Sequence, residues 1–203
     1  MGPAHSKGGV LIATERLWDK SGVERRPAVS AGNASQQRQI MVITPVSAHE
    51  RPALLRLAVD TGLFTSEDAE QLLGGVLDSL SARELPAGHA AVACRMAPDS
   101  DAIGWTYFAP DPYAAQVYNL LWIGVDPRKH GTAAGHALLS FVEREAAAQG
   151  ARVVVIETSD QPSLARARAF YAKLGYLERG RIPDFYAAGE AKVIFSRTLA
   201  GSA

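Results

Sequence analysis

The chain has 203 residues, with 21 basic and 21 acidic side chains that cancel. That length favours one domain with a real core. The cancelled charge removes the net field that would draw phosphates or anionic lipid, so neither nucleic acid nor a membrane is expected as a partner. The single cysteine, Cys94, excludes an intramolecular disulfide and a thiolate metal cluster. It sits in the apolar run Ala90 to Cys94, where a buried structural thiol is expected ahead of a nucleophile. No apolar stretch approaches the ~20 residues of a membrane span. The longest apolar run near the N-terminus, Val10 to Ala13, is too short for a signal-peptide core. A cytoplasmic location is the expectation.

Residues 1–38 are rich in Gly, Ser, Ala, Gln and Arg without a sustained period, and are expected to form a disordered extension before a domain spanning 39–203. Val10 to Trp18 is the one stretch there with helical character. From Ile40 the punctuation becomes regular. Ile40 to Val46 reads as a strand, and Ser47 caps a helix to about Ala58. Thr65 with Asp68 forms a capping-box pattern that opens a second helix. Its buried face is expected to hold Ala69, Leu72, Leu73, Val76, Leu77 and Leu80. Strands follow at about His89 to Met96, Ala102 to Phe108 and Val117 to Val125. A helix from about Thr132 to Gln149 stops at Gly150. The run Val153 to Ile156 predicts a central strand covered on both faces. A helix over Ser163 to Leu174, a short strand at Tyr176, a Gly- and Pro-rich loop and a last strand at Lys192 to Thr198 complete the chain. The order β α α β β β α β α β β predicts an α/β fold with one mixed, mostly antiparallel central sheet and helices on both faces.

Chemistry concentrates where the Val117–Val125 strand meets the next helix. The turn from Val125 to Leu139 is dominated by small residues at Gly131, Thr132, Ala133, Ala134 and Gly135, where the helix begins. A helix start presents unpaired N–H groups and the positive end of the dipole, and small side chains let a pyrophosphate approach them. Arg128, Lys129 and His130 add charge at its mouth, and His136 lies in the first turn. The bland alternative is a helix start that happens to be rich in Ala and Gly. A P-loop string and a dinucleotide fingerprint are both missing.

This turn resembles the acetyl-CoA pyrophosphate arm of the GNAT superfamily, Arg/Gln-x-x-Gly-x-Gly/Ala after a strand ending in Val-x-Pro. Val125, Pro127, Gly131, Gly135, Leu138 and Leu139 are in register with it. His130 stands where Arg or Gln is usual, and Ala133 where the middle Gly is usual; Ala133 is acceptable if its φ stays negative. The segment Ser163 to Tyr176 is similar to the family's Asn-x-x-Ala-x-x-x-Tyr-x-x-x-Gly-Phe signature through Ala167, Tyr171, Gly175 and Tyr176, with Leu164 replacing the Asn. The likeness covers about Ile40 to Leu199. Trp122 to Val125, Glu157 to Ser159 and Arg181 to Lys192 are similar to a bacterial subgroup of the family.

The resemblance implies acetyl transfer from acetyl-CoA to a primary amine of a small molecule or peptide, and no spacing among the five histidines suggests a metal site. It also implies that the strand at 117–125 splays from the strand at 152–158 to admit pantetheine. Backbone at Ile123, Gly124 and Val125 would hold the cofactor, Gly124 marking a bulge at the split. Tyr171 is the candidate general acid toward the CoA sulfur, its alternative being a core aromatic beside Phe170. Glu157 is the candidate base, at the end of an apolar strand where desolvation would raise its pKa, its alternative being to support a neighbouring group or cap a helix. Asn119 and Asp184 are weaker alternatives. The loop Arg179 to Lys192 is expected to wall the acceptor site, and a homodimer is the default assembly. Two other classes remain: a non-catalytic acyl-CoA-binding or sensing module, and an interaction protein without CoA.

Overall fold

The computed structural model of the chain describes residues 12–13, 41–82 and 84–199. Most of the expected extension lies outside the described residues. Within it, Ile12–Ala13 forms a two-residue strand, β1, parallel to the start of β2, Met41–Pro45.

After β2 come a short 3-10 turn, α1 (Arg51–Asp60), α2 (Ser66–Ala69), a π turn (Glu70–Gly74) and α3 (Gly75–Ala82). Strands β3 (Ala90–Arg95), β4 (Ala102–Pro110) and β5 (Val117–Val125) follow, then α4 (Ala134–Ala148). The chain continues through β6 (Val153–Ser159), α5 (Ala165–Lys173), β7 (Leu177–Ala187) and β8 (Glu190–Thr198). Among the described residues the sheet order is β1-β2-β3-β4-β5-β6-β8-β7, antiparallel except at β1–β2 and β5–β6. This is the mixed, mostly antiparallel sheet with helices on both faces that the sequence predicts.

The two faces have separate cores. On one, α4 and α5 cover Met41, Ile43, Phe108, Leu120, Val154, Ile156, Val193 and Phe195. On the other, α1 to α3 cover Ala91, Ala93, Trp105, Tyr107 and Trp122, and no residue of β6, β7 or β8 joins that cluster. Beyond β5, therefore, one face of the sheet has no helical cover from this core. An ion pair between Arg95 and Glu50, with Arg95 Nε also donating to Thr44, ties the entry of α1 to β3. Burial pushes the Glu50 carboxyl up, but hydrogen bonds from Arg95 and Ser47 outweigh it and hold the group below its ordinary value.

Four expectations are corrected. Leu72 is 58% exposed, because a residue of a π turn advances less around the axis than one of an α-helix, and Leu72 lags off the face that buries Ala69, Leu73 and Leu77. Val153 and Val155 are only half-buried, since α1 to α3 stop short of β6. The expected loop after Tyr176 is an antiparallel hairpin: β7 pairs with β8 from Leu177↔Ser196 to Ala187↔Glu190. Pro183 is tolerated there because β7 is the sheet's edge and residues 183–186 fall in an irregularity between Ile182↔Lys192 and Ala187↔Glu190, where a strand donor can be dispensed with. Finally, the irregularity in β5 lies at Leu121 rather than Gly124.

Candidate active site at the split between β5 and β6

β5 and β6 pair only over Val117↔Val153 to Leu120↔Ile156. Past these residues each strand keeps its outer partner, β4 for β5 and β8 for β6, but the two no longer pair with each other. The backbone edge of residues 121–125 facing β6 is thus left without a strand partner, and a sheet edge of this kind is a row of ready donors and acceptors.

The cause of the parting is visible in the β4–β5 register. Tyr107 faces Trp122 and Phe108 faces Leu120, so Leu121 is an extra residue. Before the bulge, Tyr118 and Leu120 point to the α4 face; after it, Ile123 and Val125 do. Trp122 points to the α1 face, and Leu121 is 54% exposed. One inserted residue re-phases the strand and bends it away from its neighbour. Gly124 has a different task. A Cβ there would stand 2.5 Å from Cζ2 of Trp122, so the glycine gives the indole room.

At the far end of β5 the chain turns through a 3-10 segment, Pro127–Lys129, capped by the Asp126 carboxylate, which accepts from the Arg128 N–H at 2.9 Å. Arg128's side chain adds further bonds that hold the Asp126 carboxyl below its ordinary value. Gly131 takes φ +84°, a left-handed conformation that a side chain would strain. Ala133 has φ −79°, which meets the condition under which alanine replaces the usual glycine. The backbone N–H groups of Gly131, Ala133, Gly135 and His136 have no acceptor among the described residues, whereas that of Ala134 leans on Thr132 Oγ1 at 3.3 Å. A Cβ on Gly135 would come 3.3 Å from Phe170, so the small residue allows α4 and α5 to approach. His130 Nε2 lies 3.1 Å from the Val125 carbonyl oxygen, staking the turn to the strand end, and His136 is exposed. The arrangement is a cradle of main-chain donors at the start of a fifteen-residue helix, a geometry that suits an anion.

Tyr171, on α5, is 6% exposed and packs among Phe170, Tyr176 and Phe195, in the core that Ile123 also borders. Burial pushes its phenol up to about 12. Glu157 is the first β6 residue beyond the paired segment. Val154, Ile156, Val193 and Phe195 point to the α5 face, so by alternation Glu157, Lys192 and Ile194 point to the uncovered one. The Glu157 carboxylate is half-exposed rather than desolvated, and its Oε2 accepts from Lys192 Nζ at 2.6 Å. That ammonium also lies 3.7 Å from the centroid of Phe185 and 5.9 Å from that of Tyr186.

The weaker candidates have other engagements. Asn119, in the paired half of β5, donates to Asp111 Oδ2 at 2.8 Å, and Asp184, at φ +53°, accepts from the Gly189 N–H at 2.7 Å to close the hairpin. Sequence reasoning named Glu157 and the 179–192 segment separately without bringing Glu157, Lys192 and Phe185 together, and it gave no role to a half-buried pair on the α1 face, His89 Nδ1 and the Tyr107 hydroxyl at 2.6 Å. The available signal was Lys192 itself, a charge set between Ala191 and Val193 in a strand that alternates with an apolar period. Among the described residues no group of three or more His, Cys, Asp or Glu side chains is placed to hold a metal ion, and no helix is long and apolar enough to cross a membrane.

Comparison with known proteins accords with this geometry. A GNAT-family acetyltransferase from Desulfovibrio desulfuricans shares 27% identity and a TM-score of 0.73, covering 79% of this chain and 99% of its own. An acetyltransferase from Salmonella typhimurium, solved with its cofactor acetyl-CoA, has 18% identity and a TM-score of 0.63 over 80% of this chain and 96% of its own. The ribosomal-protein-S18-alanine N-acetyltransferase of Escherichia coli has 16% identity and a TM-score of 0.61 over 81% and 97%. No curated protein matches the chain. The family model for GNAT acetyltransferases spans residues 54–176, more than half of the chain and inclusive of the bulged strand, the cradle and the Tyr171 helix, and the chain belongs to that family of acyltransferase enzymes.

Proposed function

We propose that the protein transfers the acetyl group of acetyl-CoA directly to a primary amine of a small molecule or peptide. The observation that carries this reading is continuity: the free edge of residues 121–125 runs straight into the unpaired N–H groups of the α4 cradle. A molecule with an amide-bearing arm and a pyrophosphate matches both, the arm as an added strand and the pyrophosphate at the helix start. In this reading Ile123, Gly124 and Val125 hold the arm. Gly131, Thr132, Ala133, Ala134, Gly135 and His136 form the cradle, and His130 braces it.

Acetyl transfer requires a neutral amine, a donor to the tetrahedral oxyanion and a stabilised leaving thiolate. Glu157 takes the proton from the incoming ammonium, and a backbone N–H of the free β5 edge serves the oxyanion. Tyr171 faces the sulfur. With its phenol at about 12, against about 8.5 for an ordinary thiol, it acts as a hydrogen-bond donor to the departing sulfur more than as a full acid. The setting is the cytoplasm, with a homodimer as the assembly.

The test is calorimetric titration with acetyl-CoA and CoA, followed by an amine screen that reads released thiol. Saturable binding with turnover on at least one amine supports the proposal. Binding without turnover on any amine selects a non-catalytic acyl-CoA-sensing module, and absence of binding overturns both.

A further inference from the structure

The corner formed by Glu157, Phe185 and Tyr186 has the chemistry of a primary-ammonium seat: a carboxylate on one side and the faces of two aromatic rings on the other. In this protein the seat is filled by the chain's own Lys192, whose Nζ lies 2.6 Å from Glu157 Oε2 and 3.7 Å from the Phe185 centroid. The Lys192 side chain is only 12% exposed, although it starts from a strand next to the sheet's edge. Glu157 is the first β6 residue past the point where β5 and β6 part. The seat therefore borders the gap assigned above to the acyl arm, on the face that α1 to α3 leave uncovered.

We propose that Lys192 is a self-acetylation site, an inference that rests on the acetyl-transfer reading above. Glu157 takes one proton from the Lys192 ammonium. The neutral nitrogen then bonds to the thioester carbonyl carbon of acetyl-CoA, and the carbon–sulfur bond breaks with its electron pair leaving on sulfur. The surplus proton on nitrogen passes to that sulfur. The products are Nε-acetyl-lysine and the CoA thiol, and the proton held by Glu157 returns to solvent. Acetylation removes the charge that binds Lys192 to Glu157 and to the rings, which vacates the seat for an external amine.

Shielding makes the idea testable. The chain has five lysines, and Lys129 and Lys173 are exposed where Lys192 is covered. Adventitious acetylation from bulk solvent favours the exposed pair, and delivery through the split favours Lys192. The full chain is incubated with isotopically labelled acetyl-CoA, and peptides are mapped by mass. The expected result is label on Lys192 at about ten times the rate at Lys129 or Lys173, lost in Lys192→Arg and about a hundredfold slower in Glu157→Gln. Unlabelled acetyl already on Lys192 in the purified chain, and missing from Glu157→Gln, is the same positive result. Equal or greater labelling at the exposed lysines overturns the proposal. So does an unchanged rate in Glu157→Gln, or an unmodified Lys192 in a chain that calorimetry shows to bind acetyl-CoA. Failure to bind acetyl-CoA instead overturns the acetyl-transfer reading, and the self-acetylation with it.

Discussion

The two sides of the β5–β6 split are built from different materials. On the α4 side the cradle is backbone: free N–H groups, a left-handed Gly131 and small residues that keep the approach open. On the uncovered side the corner is side chains, with Glu157, Lys192, Phe185 and Tyr186 drawn from three strands. A turn built on backbone tolerates substitution wherever φ and size are kept: Ala133 stays at φ −79°, and His130 Nε2 lies 3.1 Å from the Val125 carbonyl oxygen. A side-chain site has no such tolerance, since each group contributes its own charge or face.

The sharpest way to break the contrast is at Gly131. Gly131→Glu combines backbone strain of about 1–3 kcal/mol with a carboxylate facing the anion, and acetyl-CoA affinity is expected to fall about a thousandfold by calorimetry. A weakening below about tenfold would mean that the cradle is not where the anion sits. On the other side, Glu157→Gln keeps size and removes the proposed base. With an amine that the screen identifies, kcat should drop about a hundredfold while cofactor affinity stays level. If cofactor affinity falls instead, the two sides are not separable.

Gly124→Ala probes the strand between them. Its Cβ meets the Trp122 ring at 2.5 Å, and overpacking of that kind costs about 1–3 kcal/mol. The melting temperature should drop by several degrees, and an unchanged value would show that the indole has room to move.

Tyr171→Phe is expected to lower kcat about tenfold, the worth of the one hydrogen bond proposed to the leaving sulfur, with cofactor affinity unchanged. It also carries a pH signature. A phenol near 10 when unfolded and about 12 when folded stays protonated in both states below pH 10. Above that the unfolded chain loses the proton first, so stability falls as pH rises from 10 to 12, by up to about 1.4 kcal/mol per pH unit. Denaturant unfolding of Tyr171→Phe should show a shallower decline in that window. The smallest effect is predicted for Ala133→Gly. With φ already at −79°, the glycine gains nothing from its freedom, and acetyl-CoA affinity should shift by less than about threefold.

Local rules carried much of the fold. Thr65 and Asp68 form the expected capping box, Thr65 Oγ1 accepting from the Asp68 N–H at 3.1 Å, and Gly150 ends α4 at φ +82°. Val117–Val125 is a strand over the residues that its strongly apolar run marks. These features depend on contacts a few residues apart, so a linear reading captures them. The strand, turn and helix start after Val117 were legible for the same reason, being contiguous in the chain.

What the tertiary structure alone decided is set by pairing over long distances. The position of the bulge depends on which β4 residue faces which in β5, and either Leu121 or Gly124 satisfies the composition of the strand. The Gly- and Pro-rich segment after Tyr176 became a hairpin because β8 supplied a partner for it, and Pro183 was harmless only once β7 proved to be the edge. The state of Glu157 turned on Lys192, thirty-five residues away, which alternation placed on the same uncovered face. A sequence read in order determines which local conformations are cheap; which side chains meet across a sheet is determined by register, and register is a property of the folded whole.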